Sequence, residues 1–367
     1  MEVYIILTMI TCLSLFIMQQ LNRKYTFLIG GVRLQSPQTQ GDFMVTFIIL
    51  SVFSLIRDNV GCDYNSYLIH VQKIQRGMPH YMEIGFQWIC KLVAGINDNP
   101  RIVIIIFAVA TCYFYLRAIW DQSDDIFFSV FIFLTWGYYF MTFNTVRNYF
   151  ALSLTLFSIK HLAKKEYFRF VFIVVIAALF HKSALVCIPI YVAALKKYKL
   201  KDIAFFAGIV GTGIVFKGQI QALIFQFYPS YEGSAYDSGR ISYLNVIKAL
   251  LVLSLCVFFW KKIKDDKMSR VYFNLNLFAL ILYTAFYWIP EISRIGFYMN
   301  ATTIFLLPRL VQRVGRINRQ SIKILIYTFS IILFLLLLNT FQSETTRLLP
   351  YKTWLLDGSF NQYPPPW

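Results

Sequence analysis

The sequence predicts an all-α protein that crosses a lipid bilayer many times, and three observations carry that prediction. Of its 367 residues, 58% are hydrophobic and only 14% charged, too little polar surface to cover a water-soluble core of that size. Apolar runs recur along the whole chain at or near the ~20 residues that one crossing needs. No window alternates polar and apolar residues as a barrel strand would, so the runs are read as helices.

About twelve such runs follow in order: Val3 to Met18, Phe43 to Ile56, Ile102 to Leu116, Ile126 to Met141, Tyr149 to Ile159, Phe168 to Phe180, Ser183 to Leu195, Ile203 to Phe216, Leu244 to Trp260, Val271 to Trp288, Ile295 to Leu307 and Ile322 to Leu338. The first lacks the basic leader and small-residue cleavage site of a signal peptide and reads as a retained span. Every second connection is basic, and together these connections hold 22 of the 35 Lys and Arg, against 13 in the longer opposite set. That alternation obeys the positive-inside rule. The net charge of +17 is therefore assigned to topology and not to a nucleic-acid partner, and both termini are placed outside the cytoplasm. The chain is expected to be one transmembrane domain over 1–367, with outer loops at 57–101 and 217–243 and an extracytoplasmic tail at 340–367.

The first outer loop opens on a polar island, Arg57 to Tyr67, where an apolar run stops. Its plainest reading is a capped helix start with Asp63 at the N-cap. Beyond it Ile84, Trp88, Ile89 and Leu92 mark one apolar face of a short helix that is expected to lie in the membrane interface. The second outer loop carries Tyr228 to Gly233 and then Tyr236 to Arg240. Its tyrosines, acids and glycines suit a lid over a sugar, with Tyr236 and Arg240 as contacts; an ordinary solvated loop is the alternative. The stretch from Tyr363 to Trp367 is expected to be a disordered or interfacial end.

Cys12, Cys62, Cys90, Cys112, Cys187 and Cys256 form no C-x-x-C pair, and His70, His80, His161 and His181 share no ligand spacing, so no metal site is read from them. A bridge between Cys62 and Cys90 stays open.

The informative charges lie in breaks between apolar runs, where each is costly unless it is paired or lines a wet cavity. Arg147, Arg294 and the His181–Lys182 pair occupy such breaks, all on the outer side. With Arg57 they suggest a polyanion, because a guanidinium stays charged and grips phosphate oxygens bidentately. Snorkelling to headgroups, or internal pairs such as Arg57 with Asp63 and Arg294 with Glu291, are the plainer alternatives. His181, Glu83 and Asp63 are rival bases for activating a sugar hydroxyl, and spacing does not choose among them.

At these residues the chain resembles the EpsG/Wzy family of bacterial polysaccharide polymerases. Arg57 to Tyr67 is similar to the family's R-x-x-x-G-x-D-Y-x-x-Y, with Cys62 where a small polar residue is usual. Glu83, Gly85 and Phe86 follow, then Arg147 with Ala151 and Ser153, the Phe180 to Ala184 element, and Arg294 with Tyr298. The resemblance runs roughly from Phe43 to Pro308. It implies a GT-C-like membrane glycosyltransferase of the bacterial inner membrane. Such an enzyme moves a growing O-antigen or related glycan from undecaprenyl pyrophosphate to the next lipid-linked repeat unit at the periplasmic face.

On that reading Arg147 and Arg294 bind pyrophosphate with Arg57 assisting, and His181, Glu83 or Asp63 activates the acceptor. Tyr64, Tyr67 and Lys182 shape the site. The implied partners are undecaprenyl-pyrophosphate-linked oligosaccharides and membrane lipids, with a chain-length regulator as an optional third; no cofactor, metal or nucleic acid is called for. A flippase of the same lipids would spread charges through the membrane depth and show pseudo-symmetric halves. A membrane O-acyltransferase would need a catalytic His on the inner side, where only His161 lies.

Overall fold

The computed structural model describes residues 1–28, 38–227, 229–234 and 239–366. Among them every regular element is a helix, and extended backbone pairs only at an isolated antiparallel bridge between Arg57 and Thr353. Helices α1 (Glu2–Leu28) and α2 (Gln38–Leu55) lead to the polar island. Beyond it come α3 (Tyr64–Gln75), α4 (Ile84–Ala94) and the long α5 (Pro100–Gln122). The middle of the chain holds α6 (Ile126–Thr135), α7 (Tyr138–Met141), α8 (Val146–Ala163), α9 (Tyr167–Ala178), the 3-10 segment η1 (Lys182–Val186) and α10 (Cys187–Ala194). Next are α11 (Leu200–Val215), α12 (Lys217–Phe227), the turn η2 (Pro229–Tyr231), α13 (Tyr243–Phe258), α14 (Trp260–Ile263) and α15 (Lys267–Ala285). The chain finishes through α16 (Ile292–Asn300), α17 (Thr303–Arg313), α18 (Arg316–Thr340) and α19 (Trp354–Asp357).

Three helical stretches, 2–21, 100–122 and 318–340, are long and apolar enough to cross a membrane; α11 and α12, bent by 76° at their junction, add a fourth if they form one broken span. Several expected runs are therefore split or short. The run from Ile126 to Met141 breaks at Gly137, whose φ of 79° ends α6. That from Ile295 to Leu307 breaks between α16 and α17, where side chains supply what the interrupted helix lacks. Asn276 donates to Thr302 Oγ1 (3.0 Å) and accepts from Thr303 Oγ1 (2.7 Å), while Tyr138 donates to Asn300 Oδ1 (2.8 Å). On α1 the side chains of Ile6, Met9, Ile10 and Leu13 stay exposed, as do Ile331, Ile332, Leu335 and Leu336 on α18, the outward hydrocarbon of a membrane-embedded protein.

Polar groups collect at the two ends of the bundle. At one end Arg309 and Arg313 both bridge Asp124 and Asp266, Lys323 reaches Asp125, and Arg117 and Lys160 hold Asp121. These are the connections that the sequence groups as basic. Burial opposes the charge on Asp266, yet bonds from Arg309 and Ser269 outweigh it and hold the carboxyl below its usual range.

At the other end the polar island is seated by residues far along the chain. Gly61 N–H donates to Arg347 O (2.8 Å), Cys62 N–H to Thr346 O (3.1 Å), Asp58 N–H to Lys352 O (2.9 Å), and Trp354 N–H to Ile56 O (3.1 Å). Gln72 donates to Pro364 O (2.7 Å), so the stretch expected to be a loose end is docked on α3; Trp367 lies outside the described residues. A loop laid over hydrocarbon must satisfy its backbone, and the tail does so. On α4, Gly85, Phe86, Cys90 and Val93 are buried; of the expected apolar face Ile84, Trp88 and Leu92 point off the protein, whereas Ile89 packs partly against the core. All six cysteines are free, which leaves Cys62 and Cys90 unbridged.

Gly61 fixes how the island meets the bundle. Its φ is 106°, and a Cβ there would sit 2.3 Å from Phe143 O. The variant Gly61→Ala is expected to lose about 1–3 kcal/mol from backbone strain alone, read as a lower thermal unfolding midpoint in detergent. An unchanged midpoint would mean that the loop is not seated on the 140–144 turn.

Candidate functional site

The site begins with a break in the apolar layer. Helix α9 ends at Ala178, and its Leu179 carbonyl, left without an intrahelical partner, accepts from Gly85 N–H at 2.8 Å. A Cβ on Gly85 would stand 2.8 Å from that oxygen, so only glycine lets α4 start there. This contact sets Glu83, at the α4 N-cap, against the next stretch of chain. There His181 is extended and opens η1.

Glu83 is the centre of the cluster. One carboxylate oxygen forms an ion pair with Arg147, at the start of α8. The other lies 3.5 Å from His181 Nδ1 and 3.5 Å from the Lys182 N–H. The guanidinium of Arg147 also stands over the rings of Tyr67 (5.7 Å) and Phe86 (5.8 Å). Both partners are nearly buried, with 13% and 12% of their side chains exposed, so removing either would strand a charge.

Arg294 enters from α16. That helix is tied down one turn later, where Tyr298 donates to Asn148 Oδ1 (2.8 Å) and accepts from Ser183 Oγ (3.3 Å). Arg294 pairs with Glu291, one of the two internal pairs weighed from sequence. Burial raises the Glu291 carboxyl and nearby Asp63 adds to that, while Arg294 lowers it. His181 responds to both arginines. Burial first, then the positive charges of Arg147 and Arg294, push it down to about 3. The imidazole is therefore neutral at ordinary pH.

Thus Glu83, Arg147, His181, Lys182 N–H, Arg294 and Tyr67 come together from separate segments. Asp63 stands at the rim; it occupies the α3 N-cap position but makes no capping bond. Of the remaining sequence candidates, those among the described residues do not join the cluster. Arg57 turns inward, 2% exposed, donating to Ser54 Oγ (3.0 Å) with Phe143 beneath its guanidinium (4.5 Å), and it makes no ion pair with Asp63. Tyr64 is buried and donates to Arg57 O (3.2 Å). Arg240 is exposed and without a bond among the described residues, and Tyr236 lies outside them. Nor do three metal-ligating side chains converge among the described residues.

Sequence reasoning missed Arg101, which holds Asp58 (2.6 Å), Tyr64 OH (3.0 Å) and Gln362 O (2.5 Å) and so locks island to tail. It had been grouped with ordinary loop charges. The signal was its place at the second position of a helix opened by Asn99-Pro100, a point where a charge is fixed in direction.

Compared with known protein families, the chain matches the EpsG family over residues 43–353, and it belongs to that Wzy-like family of polysaccharide polymerases. No curated protein and no solved structure matches it.

The His181 environment sets a pH dependence. An unfolded His titrates near 6.5, and the folded one near 3, so between these values the unfolded state binds more protons. Stability from this group is complete above pH ~6.5 and is lost as pH falls toward ~3. Comparing thermal unfolding of wild type and His181→Asn across that window should show a shallower acid loss in the variant; identical slopes would place the titration elsewhere.

Proposed function

We propose that this protein joins lipid-linked oligosaccharide repeat units into an O-antigen or related surface polysaccharide. It would take the growing glycan from undecaprenyl pyrophosphate and pass it to the next repeat unit. We place the reaction at the periplasmic face of the bacterial inner membrane, in a GT-C-like bundle of about twelve segments with both termini outside the cytoplasm and no metal required. Membrane lipids, and optionally a chain-length regulator, are its other partners.

The observation that carries this reading is the convergence of Arg147, Arg294, Glu83 and His181 at the end of the bundle opposite the basic ion-pair network. Under the positive-inside rule that basic end faces the cytoplasm. Membrane polymerases of this family are glycosyltransferases, and a transferase needs a cationic seat for a leaving phosphate beside a proton acceptor.

In the proposed step the acceptor hydroxyl oxygen attacks the anomeric carbon of the donor glycan. The bond from that carbon to the pyrophosphate oxygen breaks, and its electron pair leaves with the pyrophosphate held by Arg147 and Arg294. The hydroxyl proton passes to His181 Nε2, with a Glu83 oxygen 3.5 Å from Nδ1 on the other side of the ring; Asp63 at the rim is the rival acceptor. Bound pyrophosphate would offset the two guanidinium charges that depress His181, so its proton affinity would rise only with donor in place. Arg57 supports the loop from below in this scheme, and Tyr67 fixes the Arg147 guanidinium.

Arg147→Ala and Arg294→Ala are each expected to insert normally and to leave cells with glycans of a single repeat. Loss of one partly buried phosphate contact costs a few kcal/mol, on the order of 10²-fold in rate. The measurement is a gel of surface glycans beside a membrane immunoblot. Long-chain glycan in both variants would sink the assignment.

A further inference from the structure

We propose that Lys248 seats the phosphate of a second lipid-linked substrate, in a cavity between α13 and α18 that is separate from the Glu83 cluster. This rests on the polymerase reading above, because joining two carrier-linked glycans requires two carrier phosphates to be held at once.

From sequence Lys248 falls within the apolar run from Leu244 to Trp260, with its charge counted on the outer side. The structure places it in α13, 6% exposed, with apolar neighbours on both sides in sequence. Its ammonium stands over the Tyr138 ring at 5.3 Å and has no ion pair or hydrogen bond among the described residues. A lone Lys inside a membrane helix is costly and marks a substrate or ion pathway. No carboxylate among the described residues lines the cavity, so the counter-charge comes from a ligand.

The cavity itself points the same way. It measures about 190 Å³ and is bounded by Tyr115, Trp136, Tyr149, Asn245, Lys248 and Leu337. The Tyr115 hydroxyl is buried without a hydrogen-bond partner, a second polar group awaiting one. Such a volume is below the ~300–1,000 Å³ of ordinary small-molecule sites, so it takes a head group and leaves the sugars outside. α13 packs on α15 and α17, and α18 packs on α6 and α17, so the cavity fills the space between α13 and α18. Leu244 and Leu337 line it, and Ile247, Leu250, Leu335 and Leu336 face outward beside it. An anion at Lys248 with a hydrocarbon chain leaving between the two helices satisfies both surfaces.

The wall toward the first cluster is thin. Tyr149, two residues beyond Arg147, stacks on Phe297, three beyond Arg294, with ring centroids 6.4 Å apart. The two cationic seats therefore share one partition, as donor and acceptor carriers must if their sugars are to meet.

The test is native mass spectrometry of the full-length protein in detergent with undecaprenyl phosphate, undecaprenol, phosphatidylglycerol or inorganic phosphate. Wild type should retain two undecaprenyl phosphates. Lys248→Met should retain one, whose binding is sensitive to Arg147→Ala, and Lys248→Arg should retain both. A thermal midpoint for Lys248→Met no lower than wild type shows that it is folded. Two lipids retained by Lys248→Met overturn the inference, as does equal loading at Lys248 by phosphatidylglycerol, undecaprenol or inorganic phosphate. If wild type makes no polymer yet Lys248→Met loses one lipid, the polymerase reading fails and the lipid site stands. If Arg147→Ala abolishes polymer while Lys248→Met keeps both lipids and full glycan length, the site fails and the polymerase reading stands.

Discussion

A single carboxylate organises one end of this protein. Glu83 faces Arg147 with one oxygen and the His181–Lys182 backbone and ring with the other, so it joins the start of α8 to the break after α9 through the N-terminus of α4. Without it, Arg147 would be a nearly buried cation with no counter-charge. Every polar group described around it is placed relative to that pair. The glycine at position 85 matters for the same reason, since it brings Glu83 within reach by letting α4 abut the Leu179 carbonyl.

The opposite end is built on different logic. There several acids and several bases share partners, with Asp124 and Asp266 each held by two arginines. Such a network is saturated and leaves little for a ligand to do. At the Glu83 end Arg147 pairs with Glu83 and Arg294 with Glu291, and one imidazole is kept neutral beside them. A perturbed imidazole beside two arginines, in place of a shared ion-pair network, sets this end apart.

Much of this was legible in the sequence because membrane physics is severe. Charges in the gaps between apolar runs had to be paired or functional, and that argument alone singled out Arg147, His181 and Arg294. Helix against strand was equally plain. What could not be read were facts of three-dimensional return. Arg57 and Arg147 look alike as loop arginines, yet one turns down among aromatic rings and the other up to a carboxylate. The split of Ile295 to Leu307 depends on Asn276 standing opposite it, on another helix. Lys248 lies inside the run from Leu244 to Trp260, but a lone Lys near the edge of such a run faces outward as readily as inward, and only its packing decides.

The docking of the tail on the island has a consequence for biogenesis. The loop at 57–63 is among the earlier parts of the chain to be made, and its backbone is completed by residues 346–352, nearly three hundred positions later. Synthesis proceeds from the N-terminus, and contacts of such sequence separation close last. The helices can therefore enter the bilayer while the island still lacks its partners. A ribosome that stalls after α18 would leave an inserted bundle whose 57–63 loop lacks the partners that seat it.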